Sequence, residues 1–555
     1  MKVYHKKFLI ILLFVFISKL FGQSKVDCFL KDFEPKPAVI PPNADAEKTL
    51  EAATVSVTIN TTDTLARVSK YIFGNAVAVW VKANVNNPVV DKYLNLLSPA
   101  ILRFPGGSWS NIYFWDKDPG DLPSTFCDGT KNGAPAQFSP ELGPNHELTA
   151  DQYYDMRTKI GNPQGLITIN YGYARYGLSN KPAEQAAHMA ANWVRYDKGR
   201  TKYWEIGNEN GGPWEVGWQI DTTKNKDGQP KIINGELYGR HFKIFADSMR
   251  AAAKEVGTTI YIGGQVLHFD GTNDWNVVNH NWNEGFFKEV GDAADFYVFH
   301  NYFGNASTLK SQVDNARSTI ISNINFIRSD MKNKNASLKP IALSEWNLTG
   351  GPPEALSSIA NGMQAVVLFS EMAKNNVGMS CRWLIANWDR DGMFYYKNPP
   401  APGIPLWNPR PDFFYIYYLQ KFTGDHSVST ALSPGEASKD IIAYSSIFSN
   451  KHIGIVIVNR GNTNQVIKLI PRGSGVGEKY YVYSLTGSDS TDFCQTVIVN
   501  GVSPSALRWG PIDNLADIKA SAYRIDNTVK FDSPARSVQY VIIEAGLNIV
   551  SQNEN

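Results

Sequence analysis

The chain has 555 residues, 54 Lys and Arg against 52 Asp and Glu, and a formal net charge of +2. That length exceeds what one small core needs and points to two domains, a large barrel with a smaller partner; the balanced charge, without a long basic run in the mature region, argues against nucleic acid or an anionic membrane surface as partner. Aromatics make up 12%, with 14 Trp and 26 Tyr, enough either for a large core or for stacking against sugar rings.

Lys2, His5, Lys6 and Lys7 precede an apolar run over residues 8–17, and residues 18–22 lead into polar sequence at Gln23. This is the layout of a secretory signal peptide over residues 1–22, so cleavage after Gly22 and a secreted or periplasmic location are expected, with an uncleaved anchor as the alternative. No second long apolar run follows, and no membrane span is expected after signal removal. Cys28 stands too far along for a lipid-anchored start. Cys28, Cys127, Cys381 and Cys494 admit three complete pairings, and their scatter without C-x-x-C spacing argues against zinc. Cys381 opens an apolar run, where a buried thiol is the alternative. Residues 23–50, rich in Pro, Lys and Asp, read as a linker. Residues 51–70 contain the alternating stretch VSVTINTT, a strand expected to join a later β-domain.

From residue 71 to 421, apolar strand-like runs alternate with helix-like segments. FGNAVAVW, AILRFP, GLITINYG, KYWEIGNE, TIYIGGQV, DFYVFHNY, PIALSEWN and SCRWLIANW are the candidate strands. Helical patterns such as AEQAAHMAANWVRYD and ELYGRHFKIFADSMRAAAKEV lie between them. Eight strands separated by helices predict a (β/α)8 TIM barrel, with a doubly wound sheet as the competitor. Over residues 422–555 short strands and turns take over, which predicts an antiparallel β-sandwich.

In such a barrel the chemistry sits at the C-terminal ends of the strands. That filter selects Arg103, Asn208 with Glu209, His300 with Tyr302, Glu345, and Trp383. Glu209 and Glu345 each end an apolar run, an expensive place for a charge unless it is paired or used. Either alone reads as a strand-end salt bridge. Together, on strands four and seven, they form the opposed pair that retaining glycoside hydrolysis needs, roughly 5 to 5.5 Å apart. His300 and Tyr302 share a face of one strand. Trp109, Trp115, Trp214, Trp218, Trp346 and Trp388 lie in or beside βα loops, some placed to stack on sugars and others to anchor loops; Trp109, Trp214 and Trp346 are taken as substrate contacts. The loop LRFPGGSWSN lacks both the P-loop Lys-Ser/Thr and the G-x-G-x-x-G spacing, which argues against nucleotide. His268, Asp270 and His280 match no metal spacing, and neither metal nor cofactor is expected.

The ordered pieces IFGNAV, LRFPGGSWSNIYFW, GNENGGPWEVG, FHNYFG and SEWN resemble clan A of the retaining glycoside hydrolases, most like family 51, the α-L-arabinofuranosidase group. The resemblance implies that Glu209 is the acid/base, that Glu345 is the nucleophile, and that the Asn208 amide bonds the hydroxyl next to the anomeric carbon. It implies that Trp383 is a sugar platform. Ser108 stands where those enzymes usually carry an Asn that helps to hold the terminal sugar, and bulky Trp109 follows it. Glu209 is then expected above its ordinary pKa, and Glu345 is expected to stay ionised beside Arg103 and Tyr302. The expected partner is an oligosaccharide or polysaccharide of plant or algal origin. The alternatives are an endo-acting clan A glycanase of glucanase, xylanase or agarase type, or an inactive sugar-binding protein.

Overall fold

The computed structural model describes residues 27–116, 148–387, 389–397, 403–505 and 507–546. The signal peptide expected over residues 1–22, Cys127 and Trp388 lie outside them. Eight strands close a barrel: β1 (Gly74–Ala76), β2 (Ile101–Phe104), β3 (Gln164–Ile169), β4 (Tyr203–Ile206), β5 (Tyr261–Gln265), β6 (Phe296–Gly304), β7 (Ile341–Thr349) and β8 (Met379–Arg382). Every neighbouring pair is parallel, including the closing pair of β8 with β1. The strands are buried on both faces, as parallel strands sheathed by helices must be, which is why their sequences read as nearly continuous apolar runs. Glu209 follows strand four and Glu345 lies in strand seven, as the strand count predicted.

The helices form where the 3.6-residue pattern places them. Leu309–Asn333 starts with a capping box between Thr308 and Ser311 and buries Leu309, Val313, Ala316, Ile320, Ile324, Ile327 and Met331 along one face. Gly235–Glu255 is capped by the Asn234 side chain, which accepts from the Leu237 amide. Pro411–Phe422, sequence PDFFYIYYLQKF, is a helix that its run of aromatics disguises, since such residues favour strands in isolation. Pro411 at its first turn and near-complete burial settle it as helix.

The segment expected as a linker is docked instead. Cys28–Leu30 forms a short 3-10 turn, and Phe29 inserts among the first residues of the barrel strands, with Ile101, Tyr203, Phe296, Ala342 and Met379 in the same cluster. Its ring lies 5.2 Å from that of Tyr203 and 5.0 Å from that of Phe296, and the Tyr203 hydroxyl donates to the Cys28 carbonyl at 3.1 Å. Phe29 thus plugs the barrel at the N-terminal ends of its strands, opposite Glu209 and Glu345. Further on, Asn43–Asp45 pairs in parallel with Ala520–Arg524 of the second domain. Cys28 and Phe29 are the arm's residues in that cluster, too few to show in a composition dominated by Pro, Lys and Asp.

Cys28, Cys381 and Cys494 are buried free thiols, so none of the pairings among these three forms, and Cys381 takes its alternative as a buried thiol. The second domain is one curled 11-stranded sheet, mostly antiparallel. Val55–Arg67 joins it as anticipated and extends five residues past the alternating stretch. It lies in mid-sheet, antiparallel to His426–Leu432 and parallel to Gln465–Arg472, so the sheet is mixed rather than purely antiparallel. Val55, Val57 and Ile59 point into an aliphatic core with Ile455, Ile457, Ile467, Val541 and Ile543.

Candidate active site

Glu209 stands just beyond β4 with φ +41°, in the left-handed region. Gly207 at φ +75° sets up that turn; a Cβ there would meet the Asn210 side chain and the Tyr171 Cβ at 2.2 to 2.6 Å. Asn210 fixes the loop from the other side, its amide nitrogen donating to Gln265 Oε1 at 2.7 Å and its Nδ2 to the Ile206 carbonyl at 3.1 Å. The chain is thus made to turn so that the Glu209 carboxylate faces across the barrel mouth.

Glu345 meets it from β7. Its Oε2 accepts from Arg103 Nη1 at 2.7 Å, and its Oε1 accepts from Tyr302 Oη at 2.6 Å. Glu209 Oε1 lies 3.0 Å from His300 Nδ1, while its Oε2 accepts from Trp214 Nε1 at 2.6 Å. His300 Nε2 lies 3.0 Å from Ser344 Oγ. One oxygen of each carboxylate and one nitrogen of His300 all lie within 4.8 Å of one another. Such a trio has the spacing of a metal site, but the Arg103 guanidinium already occupies the position of a cation beside Glu345, which makes a second cation there electrostatically unfavourable.

Arg103 is fully buried and spreads its donors over Glu205, Glu345 and Asn208 Oδ1. Glu205 also accepts from Thr168 Oγ1 at 2.7 Å. Burial would raise Glu205, but the charges of Arg103 and His300 hold it below the ordinary glutamate value. The two mouth carboxylates are ordered in the reverse of the expectation. Burial alone would raise Glu209, but the hydrogen bond and charge of His300, then Trp214 and Arg103, bring it below its ordinary value. Burial lifts Glu345 above that value against the charges of His300 and Arg103, and the charge of Glu209 adds to the rise. The reversal follows the position of His300, which is hydrogen-bonded to Glu209 at 3.0 Å but stands 3.9 Å from Glu345.

Trp383 follows β8 and lies against Gly107 of the loop after β2. It is buried, its ring lies 5.7 Å from that of Trp80, and its Nε1 donates to Asp391 Oδ2 at 3.1 Å. Asn387 ties the group together, donating to Asp391 and accepting from Trp80 Nε1. A Cβ on Gly107, at φ +59°, would lie 2.6 Å from Trp383 Cη2. The Gly-Gly pair therefore exists for the close approach of this indole, a job unrelated to phosphate.

Of the predicted residues, Arg103, Asn208, Glu345 and Tyr302 form one hydrogen-bonded set and Glu209, His300 and Trp214 another; His300 Nδ1 stands 3.9 Å from Glu345 Oε2 where the two meet. Trp109 sits half-buried in the 3-10 turn after Gly107. Trp346 does not reach the site: it is fully buried, packed edge-on against Phe369 of the helix Ile359–Lys374 at 5.0 Å. Trp115 is a loop anchor, stacked on Trp193 with its Nε1 donating to the Met189 carbonyl. His268, Asp270 and His280 do not converge. Asp270 accepts from Thr272 and His280 meets the Asp274 carbonyl, whereas His268 packs near the site against Phe299 and is held down to about 4 by burial and then by His300. Sequence reasoning missed Glu205, Thr168, Asn111, Glu215, Ser344 and Asp391. A charge in mid-strand was the available signal for Glu205.

No protein-family model matches the chain. Over 274 residues it is 21% identical to the intracellular exo-α-(1→5)-L-arabinofuranosidase of Halalkalibacterium halodurans, a match spanning 47% of this chain and 48%, about half, of that enzyme. The thermostable family 51 α-L-arabinofuranosidase of Thermotoga petrophila aligns over 88% of this chain and all of its own, with a TM-score of 0.62 and 16% identity. A Paenibacillus polymyxa xyloglucanase of family 44 aligns over 89% of this chain and all of its own, with a TM-score of 0.54 and 12% identity. The fold is thus that of the family 51 arabinofuranosidases: a (β/α)8 barrel carrying a curled β-domain.

Proposed function

We propose that this protein is a secreted, retaining glycoside hydrolase of α-L-arabinofuranosidase-like type. The observation that carries the reading is the spacing of Glu209 and Glu345. Oxygens within 4.8 Å of each other leave no room for the water that an inverting pair, about 6.5 to 9.5 Å apart, must hold between them. In the first step Glu345 bonds to the anomeric carbon as the glycosidic C–O bond breaks, and the Glu209 proton passes to the leaving oxygen. In the second, water replaces Glu345 at that carbon and gives its proton back to Glu209. Arg103 and Tyr302 offer only donors to Glu345, which suits a nucleophile that must be ionised when it attacks. Of Glu209's two side-chain partners only His300 can also accept a proton, since Nε2 faces a hydroxyl that donates or accepts. The same atoms therefore serve Glu209 in both protonation states. Export rests on the N-terminal pattern of residues 1–22.

A second reading, endo action on a polymer, is favoured by two indoles on adjoining loops. Trp214 is 44% and Trp275 75% exposed, and Asn276 Nδ2 donates to the Gly211 carbonyl at 2.7 Å, linking the loops after β4 and β5. A screen on aryl glycosides and polysaccharides separates the readings. Release of single sugars supports exo action, a rapid fall in polymer length supports endo action, and hydrolysis of none refutes both.

A further inference from the structure

The loop after β4 holds another carboxyl group, which the two-step chemistry above does not use. Glu215 is 2% exposed, yet among the described residues it forms no ion pair. Its partners are neutral: Ser108 Oγ at 2.5 Å and Asn208 Nδ2 at 2.9 Å on Oε1, and Asn111 Nδ2 at 2.7 Å on Oε2. A carboxyl buried without a cation is costly, and burial, followed by the charge of Glu209, pushes it up to about 8. Something must favour its presence there.

Asn208 lies between Glu215 and Arg103. The two ends of an amide are alike in shape, and its neighbours decide which end faces a ligand. Arg103 can only donate, so it takes Oδ1, at 2.7 Å; Glu215 takes Nδ2. Asn111 fixes the backbone, its Oδ1 accepting from the Asn208 amide nitrogen at 3.2 Å and its Nδ2 donating to the Asn208 carbonyl at 2.8 Å. One Nδ2 hydrogen remains for a ligand.

We propose that Glu215 is a positioning residue that fixes the Asn208 amide so that its second Nδ2 hydrogen meets the sugar hydroxyl beside the anomeric carbon, with Ser108 and Asn111 holding Glu215 in place. The proposal rests on the glycosidase reading above. It also accounts for Ser108, whose hydroxyl is committed to Glu215.

The test is a double-mutant cycle of Glu215→Ala and Asn208→Ala, with thermal melting of each variant, on a glycoside that the wild type cleaves. Glu215→Ala is expected to lower kcat about 10- to 100-fold with KM changed less than about threefold, because the contact it orients strengthens in the transition state. In the Asn208→Ala background the same change is expected to cost less than about twofold. Effects that multiply, or an unchanged kcat in Glu215→Ala, would overturn the proposal while leaving the glycosidase reading intact. Should Glu215→Ala not fold, Glu215→Gln keeps an acceptor for Asn208; its smaller loss is expected to vanish in the same background, and a multiplying loss would overturn the proposal equally. A wild type that cleaves no glycoside would overturn both.

Discussion

Two carboxylates face each other at the barrel mouth, and the groups touching them differ in kind. Glu345 is met by Arg103 and Tyr302, both donors to it; Glu209 is met by His300, whose role depends on its tautomer, and by Trp214. Glu209→Ala is expected to lower kcat/KM about 100- to 10,000-fold, and Glu345→Ala about 10,000-fold or more. Added azide distinguishes the roles on a substrate with a good leaving group. With Glu209→Ala it should yield a glycosyl azide of the substrate's configuration, and with Glu345→Ala one of inverted configuration; the opposite pattern would exchange the assignments. With Glu345 held above the ordinary glutamate value and Glu209 below it, the productive form carries one proton on the pair, so the acid limb of kcat/KM follows the lower value and the alkaline limb follows the raised value of Glu345. Tyr302→Phe removes a hydrogen bond to charged Glu345 and should move the alkaline limb to higher pH; an unmoved or lowered alkaline limb would contradict the donor role. The pair itself was legible because each glutamate ends an apolar run. Its order of protonation was not, because that depends on His300 sitting on Glu209, a contact between residues 91 positions apart. Glu215 was hidden for the same reason: Ser108 and Asn111 come from another loop.

The strands and long helices follow from local periodicity, and all eight barrel strands formed where the apolar runs lie. Periodicity fails where a short segment is held by tertiary contacts alone. Phe29 is the clearest case, one of two aromatics in a charged, proline-rich arm and the one that fills the barrel at the N-terminal ends of its strands. Phe29→Ala is expected to cost about 3 to 5 kcal/mol of stability, read as a lower melting temperature. Its kcat at a permissive temperature should stay near wild type, since the plug lies opposite the mouth. A melting temperature unchanged by the substitution would show that the arm is not docked. Trp346 illustrates the converse error: its neighbour Glu345 is in the site, but its own ring packs outward on Phe369.

Across the whole molecule the chain threads both domains twice. The arm plugs the barrel, adds Asn43–Asp45 to the β-domain and then supplies that domain's mid-sheet strand before the barrel begins. The β-domain cannot be completed without residues on both sides of the barrel in sequence, so the two are built as one piece around the carboxylate pair. Double displacement by that pair is tested most directly by following the first-formed sugar by NMR before mutarotation. Retention of the substrate's anomeric configuration is predicted from carboxylate oxygens within 4.8 Å of each other, and an inverted first product would contradict it.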